Sequence, residues 1–321
     1  SPLLADSDGD GASDGDEVDA GTDPLDENDT PPDSPPPDPA DVASPTDPGV
    51  ATGIGDSTEF LYTGSNPVQT GVDPGTIDPV RAAVLRGRVI NRDGTPLTGV
   101  RVSIKDHPEF GQTLSRTDGM FDLAVNGGGP LVIDYTGDGL LPAQRQVDVP
   151  WQNYVNVPDV ALVPLDDQAT VIDLTSPAPM QVAQGSPVTD ADGTRQATVM
   201  VPQGTSAELV LPDGTVQPIS SLTIRATEYT VGENGEAAMP ASLPANSGYT
   251  YAVELSAVEA IAANATEIRF NQALPNYVEN FIGFPVGTAV PTGYYDRQIA
   301  QWVAAPNGRV IGIVSVDGGI A

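Results

Sequence analysis

The chain has 321 residues, room for two or three domains. Its 13 Lys+Arg against 44 Asp+Glu give a formal net charge of −31, which excludes nucleic acid as a partner, because phosphate backbones need cationic patches. There is no cysteine and a single histidine, His107, so disulfides, zinc-thiolate sites and thiol nucleophiles are excluded, and no apolar run approaches the roughly 18 residues of a membrane span, so no membrane insertion is expected.

The charge is uneven along the chain. Residues 1–80 hold 19 acidic residues, no Lys or Arg, and 13 of the 32 prolines. Such a segment buries too little apolar surface to offset its ordering entropy. An extended acidic N-terminal arm is therefore expected. Within it, residues 30–81 are read as a Pro/Asp-rich linker, with 30–58 held out as a polyproline-like spacer. The N-terminus reads as a mature or internal start, and Val310–Ala321 stops just after a strand pattern, so a piece of something longer is expected.

The arm contains one sharp motif. Asp6-Ser-Asp8-Gly-Asp10-Gly11-Ala12-Ser-Asp14-Gly-Asp-Glu17 fits D-x-D-x-D-G-x-x-D-x-x-E at every position. Calcium takes six to eight hard oxygens at flexible geometry. Asp6, Asp8 and Asp10 each offer a carboxylate oxygen. Gly11 permits the sharp turn, and Ala12 offers its backbone carbonyl. Asp14 acts directly or through water, and Glu17 closes the set with two oxygens. The bland alternative is a solvated run of alternating Asp and Gly. No amphipathic helix precedes Asp6, so a regulatory EF-hand pair is not expected. The flanks, Gly15-Asp16-Glu17 and Gly21-Thr22-Asp23-Pro24, resemble the thrombospondin type-3 repeat. The resemblance implies Ca²⁺ as the bound ion over residues 1–29 and says nothing of an activity.

Residues 82–164 read as a β-sandwich. Val84–Ile90 is a strand, and Asp93-Gly94 is the signal of a turn after it. Val100, Val102 and Ile104 alternate with polar residues, as do Phe121, Leu123 and Val125. Thr117-Asp118-Gly119 and Asn126–Gly129 punctuate the chain, and 131–135, 145–149 and 154–163 supply further strands. Gly87-Arg-Val89, Asp93-Gly-Thr-Pro-Leu97, Gly99-Val-Arg-Val102 and Thr117–Leu123 resemble the carboxypeptidase regulatory-like domain. That family implies a transthyretin-like fold and an accessory rather than catalytic role.

His107 lies in the loop Asp106-His107-Pro108-Glu109. A triad would pair it with Asp106 or Glu109 and with Ser103 or Ser115. No nucleophile elbow accompanies it, so an exposed loop histidine is the preferred reading and no catalytic residue is assigned.

Residues 165–321 form a second β-rich region, with strands expected at 197–201, 207–211, 222–229 and 249–255 and a short helix or continued turn at 256–264. Asp190-Ala-Asp192-Gly193 lacks the third Asp and the closing Glu of a calcium loop, so a hairpin turn is expected there. Seven of the 17 aromatic residues then fall between Phe270 and Trp302. The apolar run 280–291 is broken by Gly and Pro, which suits either local core or a surface made to sit against another body.

Several stretches here are similar to the region before the repeats of bacterial Rhs/YD-repeat proteins, relatives of teneurins. They include Arg225–Gly232, Ser247–Tyr251, Phe284-Pro-Val-Gly287, Gly293-Tyr-Tyr-Asp-Arg297 and Asn307–Ile311. The resemblance implies an all-β chain in which a transthyretin-like β-sandwich leads into a β-rich fibronectin-like plug. It also implies a secreted or cell-surface bacterial protein, not an enzyme. Its partner would be a downstream YD-repeat shell of the same polypeptide, covalent or after cleavage. Phe281, Phe284, Tyr294, Tyr295 and Trp302 are the expected interface anchors. The alternatives are a stand-alone calcium-dependent surface adhesin or ligand-binding β-module and, from a third class, a self-cleaving enzyme.

Overall fold

Strand β2 (Ala82–Asn91) is buried along nearly its whole length, which a half-exposed strand would not be. The cause is a load on both faces. Ala83, Leu85 and Val89 point into the core between two sheets, while Val84 points the other way, with Ala124, onto Leu61 and Val68. The computed structural model describes residues 34–315 except 46, 48 and 246, together with Ser7, Val18 and Leu25.

Two compact units are present: residues 1–163 with 233–242, and residues 164–232 with 243–321. The first unit is a sandwich. Its earlier elements are short: α1 (Pro39–Val42), α2 (Ile54–Thr58), β1 (Gln69–Thr70), β3 (Arg101–Ile104) and β4 (Gln112–Leu114). The others are β5 (Met120–Asn126), β6 (Gly129–Thr136), β7 (Ala143–Val149), β8 (Asn153–Asn156) and β9 (Val160–Leu162). One sheet runs β1-β4-β3-β6-β7. The other has β5-β2-β8 with β9 also beside β2. Phe121, Leu123, Val125, Val102, Ile133 and Tyr135 fill the space between them.

Local chemistry sets these strands. Gly119 closes the Thr117-Asp118-Gly119 turn at φ 78°, a conformation that side chains other than glycine's resist. Gly87 faces the Phe121 ring so closely that a Cβ would stand 2.7 Å from it. Asp122 is fully buried yet satisfied. Arg86, its cross-strand partner, reaches it at 2.6 Å and Arg116 at 3.0 Å. A buried carboxylate needs such partners to remain charged.

The sequence reading of 30–81 as a linker is corrected for its second half. Leu61 and Val68 are buried, and β1 pairs with β4. Buried Gln69 donates to the carbonyls of Phe110 and Ala124 and accepts from the Ala124 amide. Leu61 and Val68, with Val42, Phe60 and Tyr62 packed against them, cover the outer face of β2 and β5. Within the expected spacer, Pro39–Val42 is a helical turn capped by Asp38, which accepts from the Ala40 amide.

A second difference concerns residues 233–242, which the sequence assigns to the following domain. They belong to the sandwich unit. Their helical turn α3 (Gly235–Ala238) is followed by buried Met239. The Gln144 amide donates to the Pro240 carbonyl at 2.7 Å, and the Arg145 guanidinium donates to the carbonyls of Ala237 and Met239 at 2.6 and 3.1 Å. Asn234 Nδ2 donates to the Arg92 carbonyl at 3.0 Å.

The second unit is built from several small antiparallel sheets. Its strands through the first half are β10 (Thr170–Asp173), β11 (Met180–Gln184), β12 (Val188–Asp190), β13 (Gly193–Arg195), β14 (Thr198–Pro202), β15 (Ala207–Val210) and β16 (Val216–Ile219). There follow β17 (Ser221–Glu228), β18 (Val253–Ala257), helix α4 (Val258–Ala262), β19 (Glu267–Phe270), β20 (Asn276–Tyr277), β21 (Ala289–Asp296) and β22 (Gln301–Arg309). The three-stranded sheets are β10-β17-β18, β11-β14-β20 and β16-β15-β19. Ile172, Val199, Val201, Leu222 and Ile224 form the core. The last expected strand is shifted from 249–255 to 253–257, because Ala257 is buried opposite Ile224 in the register. The expected turn at Asp190–Gly193 closes the β12–β13 hairpin, and a short helix, α4, occupies part of 256–264.

Candidate functional site

Strands β21 and β22 make a two-stranded ribbon, pinned at its turn. Asp296 Oδ1 accepts from the amides of Gln298 and Ile299, and Ala300 takes φ 52° to complete the reversal. Between them Arg297 reaches back to Glu254, donating at 3.0 and 3.3 Å, and to the Tyr229 hydroxyl at 3.0 Å. That hydroxyl itself donates to Glu254 at 2.9 Å. Burial and the adjacent carboxylate push the Tyr229 hydroxyl upward from its ordinary pKa, so it keeps its proton.

Register sets the faces of the ribbon. Tyr295 stands opposite Trp302, their ring centres 5.3 Å apart, and Tyr294 stands opposite Val303. Successive side chains point to opposite faces, so both faces carry apolar bulk. Tyr294 is 53% exposed, Ile299 55%, and Phe284, on the strand-free approach to the ribbon, 37%. Tyr295 and Trp302 are half-buried. The register shifts between Val290 and Thr292, next to Pro291 and opposite Pro306, residues that have no amide hydrogen for a ladder. Two prolines in a strand pattern are why sequence alone left this ribbon unassigned.

Phe281 differs from the other expected anchors. Its ring meets Tyr251 edge-on at 6.3 Å and lies under the Arg195 guanidinium at 4.6 Å. Arg195 is the most enclosed cation of the unit. It donates to both oxygens of Asp190 at 2.7 and 2.8 Å and to Glu228 at 2.6 Å. The guanidinium holds the Asp190 carboxyl down to about 2, from an ordinary 3.8. Sequence reasoning missed both arginine clusters. The available signal was scarcity: with 13 cations in 321 residues, each one inside a β-domain deserves a carboxylate partner in any reading.

The other expected site residues lie apart. Asp6, Asp8, Asp10, Ala12, Asp14 and Glu17 fall outside the described residues. Among the described residues, no cluster of three or more His, Asp or Glu is arranged to hold a metal. His107 Nδ1 pairs with Glu109 at 2.9 Å and stacks near Phe110 at 5.5 Å. The Ser115 hydroxyl is used inside the sandwich, donating to the Leu97 carbonyl and accepting from the Val100 amide. None of the described helices is long and apolar enough to cross a membrane.

Residues 77–162 match the family model of the Teneurin TTR-like domain. This sandwich is teneurin-like. Residues 6–27 match the Bacterial TSP3 repeat. Teneurin-1 of Homo sapiens is 32% identical over 158 residues, which are 48% of this chain and 6% of that protein. Teneurin-m of Drosophila melanogaster is 42% identical over 93 residues, 29% of this chain and 3% of that one. The chain therefore spans about 6% or less of the length of these relatives. Among solved structures, a streptococcal ancillary pilin matches at TM-score 0.22 and 11% identity, over 44% of this chain and 58% of that one, a likeness too low to inform fold or function. The family-model match begins at residue 77 and so leaves out Gln69, Leu61 and Val68.

Proposed function

We propose that this chain is a non-catalytic structural segment of a large secreted or cell-surface protein, which binds calcium through its acidic arm and docks a downstream YD-repeat shell through the second unit. The observation that carries the docking is the β21–β22 ribbon, with large apolar side chains on both faces and no third strand among the described residues. A two-stranded ribbon is marginal on its own, and aromatic groups dominate interface energetics. The teneurin-like sandwich and the TSP3 repeat support the placement in a multi-module protein of this kind.

Phe284 and Tyr294 are the anchors that test this, because Phe281 is already engaged with Tyr251 and Arg195. Replacing both with Ser lowers the affinity for the co-expressed shell about tenfold or more, as measured by co-purification over a dilution series. Equal retention of the double variant overturns the docking.

The donor set of residues 6–17 suits calcium. It offers five carboxylates and one backbone carbonyl, all hard oxygens, and no nitrogen or sulfur. Isothermal titration with calcium chloride is expected to show one site, lost in Asp10→Ala. Absence of heat in the parent chain refutes the assignment.

A further inference from the structure

The chain passes between its two units three times, at 163/164, 232/233 and 242/243. The second and third passages bracket Glu233–Ser242, which is embedded in the sandwich unit. Buried Ala238 and Met239 seat it there. Arg145, itself buried on β7, donates to two of its carbonyls, and the β7 edge adds the Gln144 amide to Pro240. At the other end Asn234 holds the Arg92 carbonyl. A backbone carbonyl held by a guanidinium is a charge-assisted bond, stronger than one between neutral groups, and two of them converge here with apolar burial.

We propose that Glu233–Ser242 is a strap that keeps the sandwich attached to the rest of the protein after the first connection, at 163/164, is cut. The sandwich supplies a docking surface on the β7 edge and Arg145. Its occupant is a ten-residue piece of the same chain that belongs, by sequence, to the downstream half. Scission between Pro164 and Leu165 leaves residues 1–164 and 165–321 with no covalent link, and the strap stays on the second piece, together with Asp166 and its bonds to Ser186 and Thr227.

The test uses the full chain with a site-specific protease sequence inserted after exposed Pro164. After complete cleavage, the two pieces are expected to co-elute on native size-exclusion chromatography at the volume of the uncut chain. In the double variant Arg145→Ala/Asn234→Ala they are expected to separate at a protein concentration at least about tenfold higher than in the parent. Separation of the pieces in the cleaved parent overturns the proposal, and so does a double variant that holds together as tightly as the parent. If Arg145→Ala disturbs the uncut chain's circular dichroism, Asn234→Ala alone, at a half-buried turn position, is scored by the same criterion.

Discussion

Arg195→Met lowers the stability of the second unit by about 3–5 kcal/mol, read as a fall in the denaturant midpoint. The substitution keeps apolar volume but leaves Asp190 and Glu228, which converge on one guanidinium, without their counter-charge. Removing one partner of a buried pair costs far more than the pair contributes over an apolar substitute, because the remaining charge stays desolvated. Phe281 loses the cation above its ring at the same time. The pH dependence follows with a definite sign. Asp190 has its folded-state pKa depressed to about 2 from 3.8, so its contribution is fully present above about pH 4 and is lost as pH falls toward 2. Asp190→Asn should therefore be much less stable than the parent at pH 6, and the gap should close in acid. A gap that stayed constant from pH 6 to pH 2 would show that the carboxylate is not what Arg195 relies on.

Gln69→Leu should destabilise the sandwich by about 2–5 kcal/mol, several times what a surface substitution costs. Its amide group meets three backbone groups, the Phe110 carbonyl and both the amide and the carbonyl of Ala124. Leucine fills similar space but leaves buried backbone polar atoms unpaired, at about 1–3 kcal/mol each. Thermal unfolding of the full chain measures this. A chain beginning at residue 77, where the family-model match begins, should show a still larger loss, since Val84 and Ala124 then lose the cover of Leu61 and Val68. Gln69→Leu unfolding at the parent temperature would mean that residues 54–76 merely lie on the sandwich.

These two sites mark where sequence was informative and where it was not. The turns at Asp93-Gly94 and Thr117–Gly119 were legible, because glycine at positive φ is a local demand. So were Val100, Val102 and Ile104, whose alternation reports one buried face. Gln69 was not legible: nothing local separates a buried glutamine from a solvated one in a polar arm. The assignment of Leu61 and Val68 depends on the outer face of β2, a need created by residues 15 or more positions away. Residues 233–242 were missed for the same reason, since Arg145 and Met239 are 94 positions apart. In the ribbon, the aromatic cluster was visible but the pairing was not, because the prolines that set its bulge also erase its strand pattern.

Those prolines have a further consequence wherever copies of the chain are crowded together. A ribbon with exposed rings and no third strand among the described residues is a template on which identical ribbons add strand by strand. Pro291 and Pro306 sit on opposite strands, at the same point along the ribbon where the register shifts. Each removes a hydrogen-bond donor there, and the bulge increases the local twist. An incoming strand would therefore meet a missing donor at the same level on either strand, while Tyr294 and Ile299 stay exposed on the faces.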